Sequence, residues 1–416
     1  MATETAVETR AEPRVAALDA LQVRDYRYLW FNSFSFYVSR GMGMIATSWL
    51  VLELTDSRFL VGAVLFVQGA PLALFSLPAG IMADRADRRW LLIISQAATT
   101  AATAVLAALI VADAVEAWHV FVLAFAMGTA MALGQPARQA LVPALVGPER
   151  LMNAIVLNNL IQNLSFVIGP AFAGGLLAAT GFNGTFIAQV ALLAAGLPWL
   201  LSMRSPPVER LQKRASGIAE LREGLAHITD SSFILSLFAV TAFTGVFFVG
   251  SYQALVPIFA RDVLDVGSLG LGMLSAAFGA GMLAGSVYIA SRGNIARKGE
   301  VLLTSLIIGS FVFFIFAISR WYALSLVTMV AWGFGAAFFM NITITLIQSH
   351  TPDRLMGRVM AVQALAFYGM SPVGNLVGGG IAELANAQSA AIVGAIAVGL
   401  MSAYFFLRRP ELREAT

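Results

Sequence analysis

Few side chains in this sequence could do chemistry, and those that could are charges set among apolar residues. Between positions 80 and 89 the chain reads Gly-Ile-Met-Ala-Asp-Arg-Ala-Asp-Arg-Arg, with long apolar runs on both sides. An Arg or Asp at mid-bilayer costs roughly 2.5–3.5 kcal/mol, so this stretch must be a tight loop between two membrane helices. Its three arginines assign the loop to the cytoplasmic side. Arg40 is a different case. At ~1.5 Å per residue it lies ~21 Å along a helix from Tyr26, deep inside an apolar run. A guanidinium there is either tied to polar neighbours as a structural feature or meets a charged group on a substrate.

Catalytic signatures are missing. The chain has no His-Glu-x-x-His, no Gly-x-Ser-x-Gly and no phosphate-cradling Gly-x-x-x-x-Gly-Lys. Cysteine is absent, which excludes disulfides and thiol chemistry. His119, His227 and His350 fall near span ends or in a linker, so no metal site and no cofactor is expected. No enzyme is expected either. A nucleotide-driven pump would need a phosphate-binding site, so any transport by this chain must run on a gradient of protons or another ion. The acids that could carry a proton all sit near span ends, with Asp25 and Glu53 the better candidates; Asp113, Asp262 and Glu383 lie at other outer ends.

The elements that must position these residues are membrane helices. Hydrophobic residues make up 59% of 416, charged residues only 12%, and mean hydropathy is +0.80. Soluble domains carry about 25% charged residues. At ~20 residues per span the apolar runs predict twelve helices in an all-α polytopic membrane protein, both termini cytoplasmic. A tail (1–25) precedes one six-helix bundle (26–203); a linker (204–232) leads to a second bundle (233–407) and a short tail (408–416). The fourth span is expected at about 118–133, followed by a polar inner connection through Gln135, Pro136, Arg138 and Arg150. Within the linker, Ile218, Leu221, Leu225 and Ile228 fall at helical spacing and predict an amphipathic surface helix.

Charge bias supports that orientation. Of the 26 Lys and Arg, 22 fall in segments assigned to the cytoplasm, Arg58, Arg261 and Arg320 fall outside, and Arg40 is within the membrane. The pI near 9.4 reflects these loops and gives no reason to expect nucleic acid. The halves are repeats: Pro148-Glu149-Arg150-Leu151-Met152 returns as Pro352-Asp353-Arg354-Leu355-Met356, and Gly174-Gly175 returns at the same offset as Gly378-Gly379.

Two further patterns concern the fifth span. Asn158/Gln162 and Asn159/Asn163 form i,i+4 pairs, a polar stripe that must face protein or a wet cavity and whose Gln162 and Asn163 reach the depth of Arg40. Beyond it, Gly169, Pro170, Gly174 and Gly175 predict a kinked, closely packed seam.

The spacing Gly80, Asp84-Arg85, Arg88-Arg89 resembles the loop signature Gly-x-x-x-Asp-Arg-x-Gly-Arg-Arg of the major facilitator superfamily, with Asp87 where that family usually has glycine. The lead-in Arg24-Asp25-Tyr26-Arg27 and the stretch Trp49-Leu50-Val51…Leu54-Thr55-Asp56-Ser57 are similar to the superfamily's bacterial exporters of macrolides and of the siderophore enterobactin. The seam is similar to the Gly-Pro-x-x-Gly-Gly element of its antiporters, with one extra residue. The resemblance implies two six-helix bundles in a bacterial plasma or inner membrane, acting as a monomer that exports small amphipathic organic molecules by proton antiport. It also implies that Gly80, Asp84, Arg85, Arg88 and Arg89 form a gate, Asp84 and Arg88 reaching toward residues 355–358 in an outward-open state. The cavity of that fold is lined by the first, fourth, seventh and tenth spans, which carry Phe36, Arg40, Met44, Met127, Met131, Gln135, Phe243, Phe247, Gln253, Trp332, Phe339 and Asn341, with Asn159, Gln162 and Asn163 beside them. Aromatics and methionines with a few amides suit a bulky amphipathic ligand, and they equally suit helix packing. Arg40 is outside the pattern of that exporter branch. An importer or uniporter of an organic anion held by Arg40, or a non-transporting sensor on the same fold, are the alternatives.

Overall fold

The computed structural model describes residues 18–204, 217–293 and 295–415, without the side chains of Asp84, Arg85, Asp353 and several others. Residues 1–17 of the tail and 205–216 of the linker therefore lie outside the described residues, and the remainder is helical apart from short turns. The chain opens with α1 (Arg24–Thr55), α2 (Arg58–Arg85) and α3 (Arg88–Val111). Asp56, in the left-handed region at φ 51°, closes α1, and Ser57 caps α2 by accepting from the Leu60 amide at 3.3 Å. Asp87 caps α3, its Oδ1 accepting from the amides of Arg89 at 2.9 Å and Trp90 at 3.4 Å. That cap is the physical reason for an acid where the superfamily signature has glycine: it satisfies two free donors of the next helix.

The following helix runs from Ala117 to Ser202 but turns sharply at Gly147 (φ 71°, ψ 175°) and Gly181 (φ 66°, ψ −164°), conformations that need glycine. These turns divide it into α4 (117–146), α5 (148–180) and α6 (182–202). The fourth span is thus longer than its apolar run predicts. It continues through Gln135 and Pro136 and carries Arg138 into the protein interior, where a cytoplasmic connection was expected.

After the amphipathic linker helix (Gly217–Asp230) come α7 (Ser232–Val263), α8 (Gly267–Arg292), α9 (Lys298–Ile318), α10 (Tyr322–Ser349), α11 (Asp353–Leu384) and α12 (Ala387–Arg408). In α7, Gly245–Gly250 and Phe259–Val263 are wound as π turns. Length and apolarity alone mark eight membrane-spanning helices, with 117–202 counted once and α1 and α11 not among them. With its three legs separated and those two included, the described residues form the expected twelve.

Successive antiparallel spans bring the 86–87 turn and both ends of the described chain to one end of the molecule, the terminal end. The Asp56–Ser57 turn marks the opposite, far end. The terminal end is tied by polar contacts: Arg150 to Asp19 at 2.8 Å, Arg89 Nε to the Leu200 carbonyl at 2.9 Å, and the Gly299 amide to the Ala415 carbonyl at 3.0 Å.

The two bundles are held by different forces. In α1–α6, side chains donate to backbone carbonyls of neighbouring helices: Tyr26 to Ala154 at 2.8 Å, Ser95 to Ala130 at 2.6 Å, Gln96 to Leu193 at 3.0 Å and Gln189 to Ser39 at 3.2 Å. In lipid no hydrophobic force draws helices together, so such bonds and close packing must do it. In α7–α12 the centre is aromatic. Trp332 stacks on Phe313 with centroids 4.4 Å apart and meets Phe248, Tyr252 and Phe278 within 5.2–5.4 Å.

Candidate functional site

The site follows from where the bundles touch. α2 lies antiparallel to α11 and α5 antiparallel to α8, and the close approaches cluster toward the far end. A Cβ on Gly62 would stand 2.2 Å from the Asn375 carbonyl oxygen, and one on Gly174 would stand 2.7 Å from the Gly272 Cα. At the terminal ends of α2 and α11, Gly80 and Gly357 would meet nothing within 4 Å. The close approaches between the bundles lie toward the far end, and at the terminal ends of α2 and α11 these two glycines face open space.

Charges complete the far-end closure. Arg58 Nε meets Asp262 at 2.7 Å, and Arg261 Nη2 meets Asp56 at 2.6 Å while its Nη1 donates to the Leu52 carbonyl at 2.9 Å. Glu383 Oε2 accepts from the amides of Arg58 at 2.7 Å and Phe59 at 3.1 Å. Every one of these bonds joins the N-terminal bundle to the C-terminal one. Sequence reasoning assigned these residues only to outer turns; an acid in the last turn of α11, at the negative end of its own helix, was the available signal.

Arg40 stands near the middle of α1, exposed, with no hydrogen bond or ion pair among the described residues. The expected bonds to the amides of α5 are not formed: Gln162 and Asn163 are half-buried and Asn159 is exposed, and none reaches the guanidinium. The buried guanidinium is instead Arg138, 2% exposed, about a dozen ångströms inside α4 from its terminal end. Its Nη1 donates to Asn32 Oδ1 at 2.8 Å and Ser33 Oγ at 2.7 Å, and its Cζ lies 4.5 Å from the Phe36 ring centroid. Asn32 in turn donates to the Gly196 carbonyl at 3.0 Å, linking α4, α1 and α6. No carboxylate neutralises Arg138 among the described residues, and its Nη2 is buried without a partner.

The other expected residues divide between packing and opening. Phe36, Met127, Trp332 and Phe339 are buried, so these four are core rather than lining in this state. Met44, Met131, Gln135, Phe243 and Phe247 are half-buried and Asn341 is exposed, while Gln253 accepts from Asn375 at 3.3 Å. Phe247 lies in the first π turn of α7, a winding frequent at functional positions. In the seam, Gly169 and buried Pro170 pack on Gly41, Gly174 packs on Gly272, and Gly175 faces open space.

At the loop, Arg89 bonds the carbonyls of Leu200 and Leu201, ending α6, and Arg88 Nε donates to the Ala83 carbonyl at 3.3 Å. The side chains of Asp84 and Arg85 lie outside the described ones. Arg358, in the expected acceptor region, is paired with Glu223 of the linker helix. Asp25 accepts from Arg24 and from the Arg204 amide, both at 3.2 Å, and Glu53 is exposed.

Known proteins share this architecture. The model of the transmembrane secretion effector family matches residues 15–416. The enterobactin exporter EntS of Shigella boydii serotype 4 (strain Sb227) is 25% identical over 398 residues, covering 93% of this chain and 92% of that one. EntS of Citrobacter koseri is 24% identical over 397 residues, with the same coverage. Among solved structures, the nucleoside transporter NupG (D323A mutant) superposes with a TM-score of 0.75 at 14% identity, over 92% of this chain and 99% of that one. A bacterial homolog of the human lysosomal transporter Spinster, in an inward-facing and occupied conformation, gives 0.72 at 14% identity over 93% and 97%. With a family model matching nearly the whole length and a twelve-helix fold of two bundles, the chain belongs to the transmembrane secretion effector family of major facilitator transporters.

Proposed function

We propose that this transporter exports a small acidic, amphipathic molecule of siderophore type by alternating access, and that the structure is its cytoplasm-facing state. The observations that carry the reading are bundles packed together at the far end, open space beside Gly80 and Gly357 at the terminal end, and an unpaired Arg40 at mid-depth. An uncancelled guanidinium in a low-dielectric cleft attracts an acidic group and repels cationic drugs. The enterobactin exporters among its relatives support both the direction and the cargo class.

In this reading Asp84 and Arg88 hold the terminal ends of the bundles together in the opposite state, and Asp84→Asn expresses normally but loses transport. Asp25 and Glu53 are the coupling acids. Vesicles carrying Asp25→Asn or Glu53→Gln lose pH-driven transport in at least one case; full transport in both removes the assignment.

The deciding experiment concerns Arg40. Purified Arg40→Gln binds an acidic siderophore more weakly, with its melting temperature unchanged because Arg40 holds nothing in place. Arg40→Lys keeps part of the affinity but loses bidentate geometry. Undiminished affinity in well-folded Arg40→Gln ends the idea.

A further inference from the structure

The contacts between α2 and α11 keep one antiparallel register. Arg58 meets Glu383, Gly62 meets Gly379, Gly69 meets Pro372 and Ala73 meets Gly369. These positions recur on one face of α2, and the same face continues to Gly80 and Asp84. Continued along α11, the register sets Asp84 opposite residue 357, the fifth residue of that helix and about one turn beyond its start. No close backbone approach marks this part of the register, since a Cβ on Gly80 or on Gly357 would meet nothing within 4 Å.

Each helix carries an acid in its last turn, Asp84 in α2 and Glu383 in α11. Both are misplaced with respect to their own helix, whose C-terminal end is already negative. Glu383 is well placed with respect to its neighbour. Glu383 accepts from the first two amides of α2, two of the four donors that a helix start leaves free. Ser57 Oγ lies 3.3 Å from the same carboxylate oxygen, and Ser57 itself caps the third helical amide. Half of the free donors at the start of α2 are thus satisfied from the other bundle.

We propose that Glu383 is the far-end latch of the transport cycle, an acid that caps α2 across the bundle interface only while the far end is closed. Its counterpart at the terminal end is Asp84, which in the reading above holds the ends of the bundles together in the opposite state. Opening the far end frees the amides of Arg58 and Phe59 to water, and closing it caps them again. This rests on the alternating-access reading above. Arg58 with Asp262 and Arg261 with Asp56 surround the latch and hold the same closure from the sides.

The test uses the natural absence of cysteine. Leu65 lies between the Gly62 and Gly69 contacts, 5% exposed, so Leu65→Cys is shielded from an impermeant maleimide until the far end opens. Glu383→Ala raises its labelling rate about fivefold, the effect of losing roughly 1 kcal/mol of capping. Glu383→Gln, which keeps an acceptor but no charge, gives a smaller rise. Adding Asp84→Asn to Glu383→Ala returns the rate toward that of the parent.

A wedge supplies the control, because Gly62→Leu cannot fit against the Asn375 carbonyl and must part the bundles. Increased labelling in the wedge with none in well-folded Glu383→Ala overturns the latch alone. A cysteine that stays silent in the wedge as well overturns alternating access, and the latch with it.

Discussion

Two arginines within the bilayer show how placement decides what a residue does. Arg138 is buried and holds Asn32 and Ser33, so Arg138→Ala leaves two dry acceptors, each worth about 1–3 kcal/mol. We expect its melting temperature in detergent to fall by several degrees, with Arg138→Lys intermediate because the charge stays and the flat stacking on Phe36 is lost. Arg40→Gln leaves the melting temperature where it was. A drop for Arg40→Gln and none for Arg138→Ala would reverse these roles. Asp87 offers a smaller effect. Asp87→Ala costs about 1 kcal/mol of stability through the lost cap of α3, while Asp87→Gly costs only a few tenths; both variants still transport in a vesicle assay.

At the level of helices, glycine positions record where backbones must meet. Gly174→Val drives a side chain into the Gly272 backbone, whereas Gly175→Val enters open space. The first variant loses folded yield on size exclusion and the second does not, although the two stand side by side in one motif. In this seam Gly169 and Pro170 pack on Gly41 and Gly174 packs on Gly272, as small residues in a membrane helix have few other uses. Sequence reasoning misplaced the end of α4, because Gln135, Pro136 and Arg138 look like a loop when polarity is read without packing. A proline is tolerated within a membrane helix when its neighbours satisfy the freed carbonyl. Trp332 illustrates the opposite difficulty: an aromatic on the tenth span reads equally as lining or core, and only its four ring neighbours decide for core.

For the whole molecule, hydropathy and the internal repeat made the twelve helices and two bundles legible. The loop signature added the family. The far-end closure was not legible, because Arg58, Asp262 and Glu383 are far apart in sequence and each alone is an ordinary turn residue. Orientation is open to a direct check. Ala86→Cys is shielded from an impermeant reagent added to intact cells and Ala114→Cys is labelled; the reverse pattern would invert the topology and the direction of the open cleft.

The guanidinium of Arg138 has an electrical consequence. Together with Arg40 it places two fixed positive charges inside the low-dielectric slab, with no carboxylate bonded to either among the described residues. Both ride on the N-terminal bundle, so in the alternating-access cycle proposed above a rocking of that bundle would drag charge through the membrane field. A full crossing is worth about 2.3 kcal/mol per charge at 100 mV, so moving through a tenth of the field gives about 0.2 kcal/mol for each. Empty transporter in a planar membrane should therefore give a small transient current on a voltage step, and replacing both arginines by glutamine should abolish it. The resting potential of the cell then becomes a bias on which way the empty carrier faces, before any cargo or proton has bound.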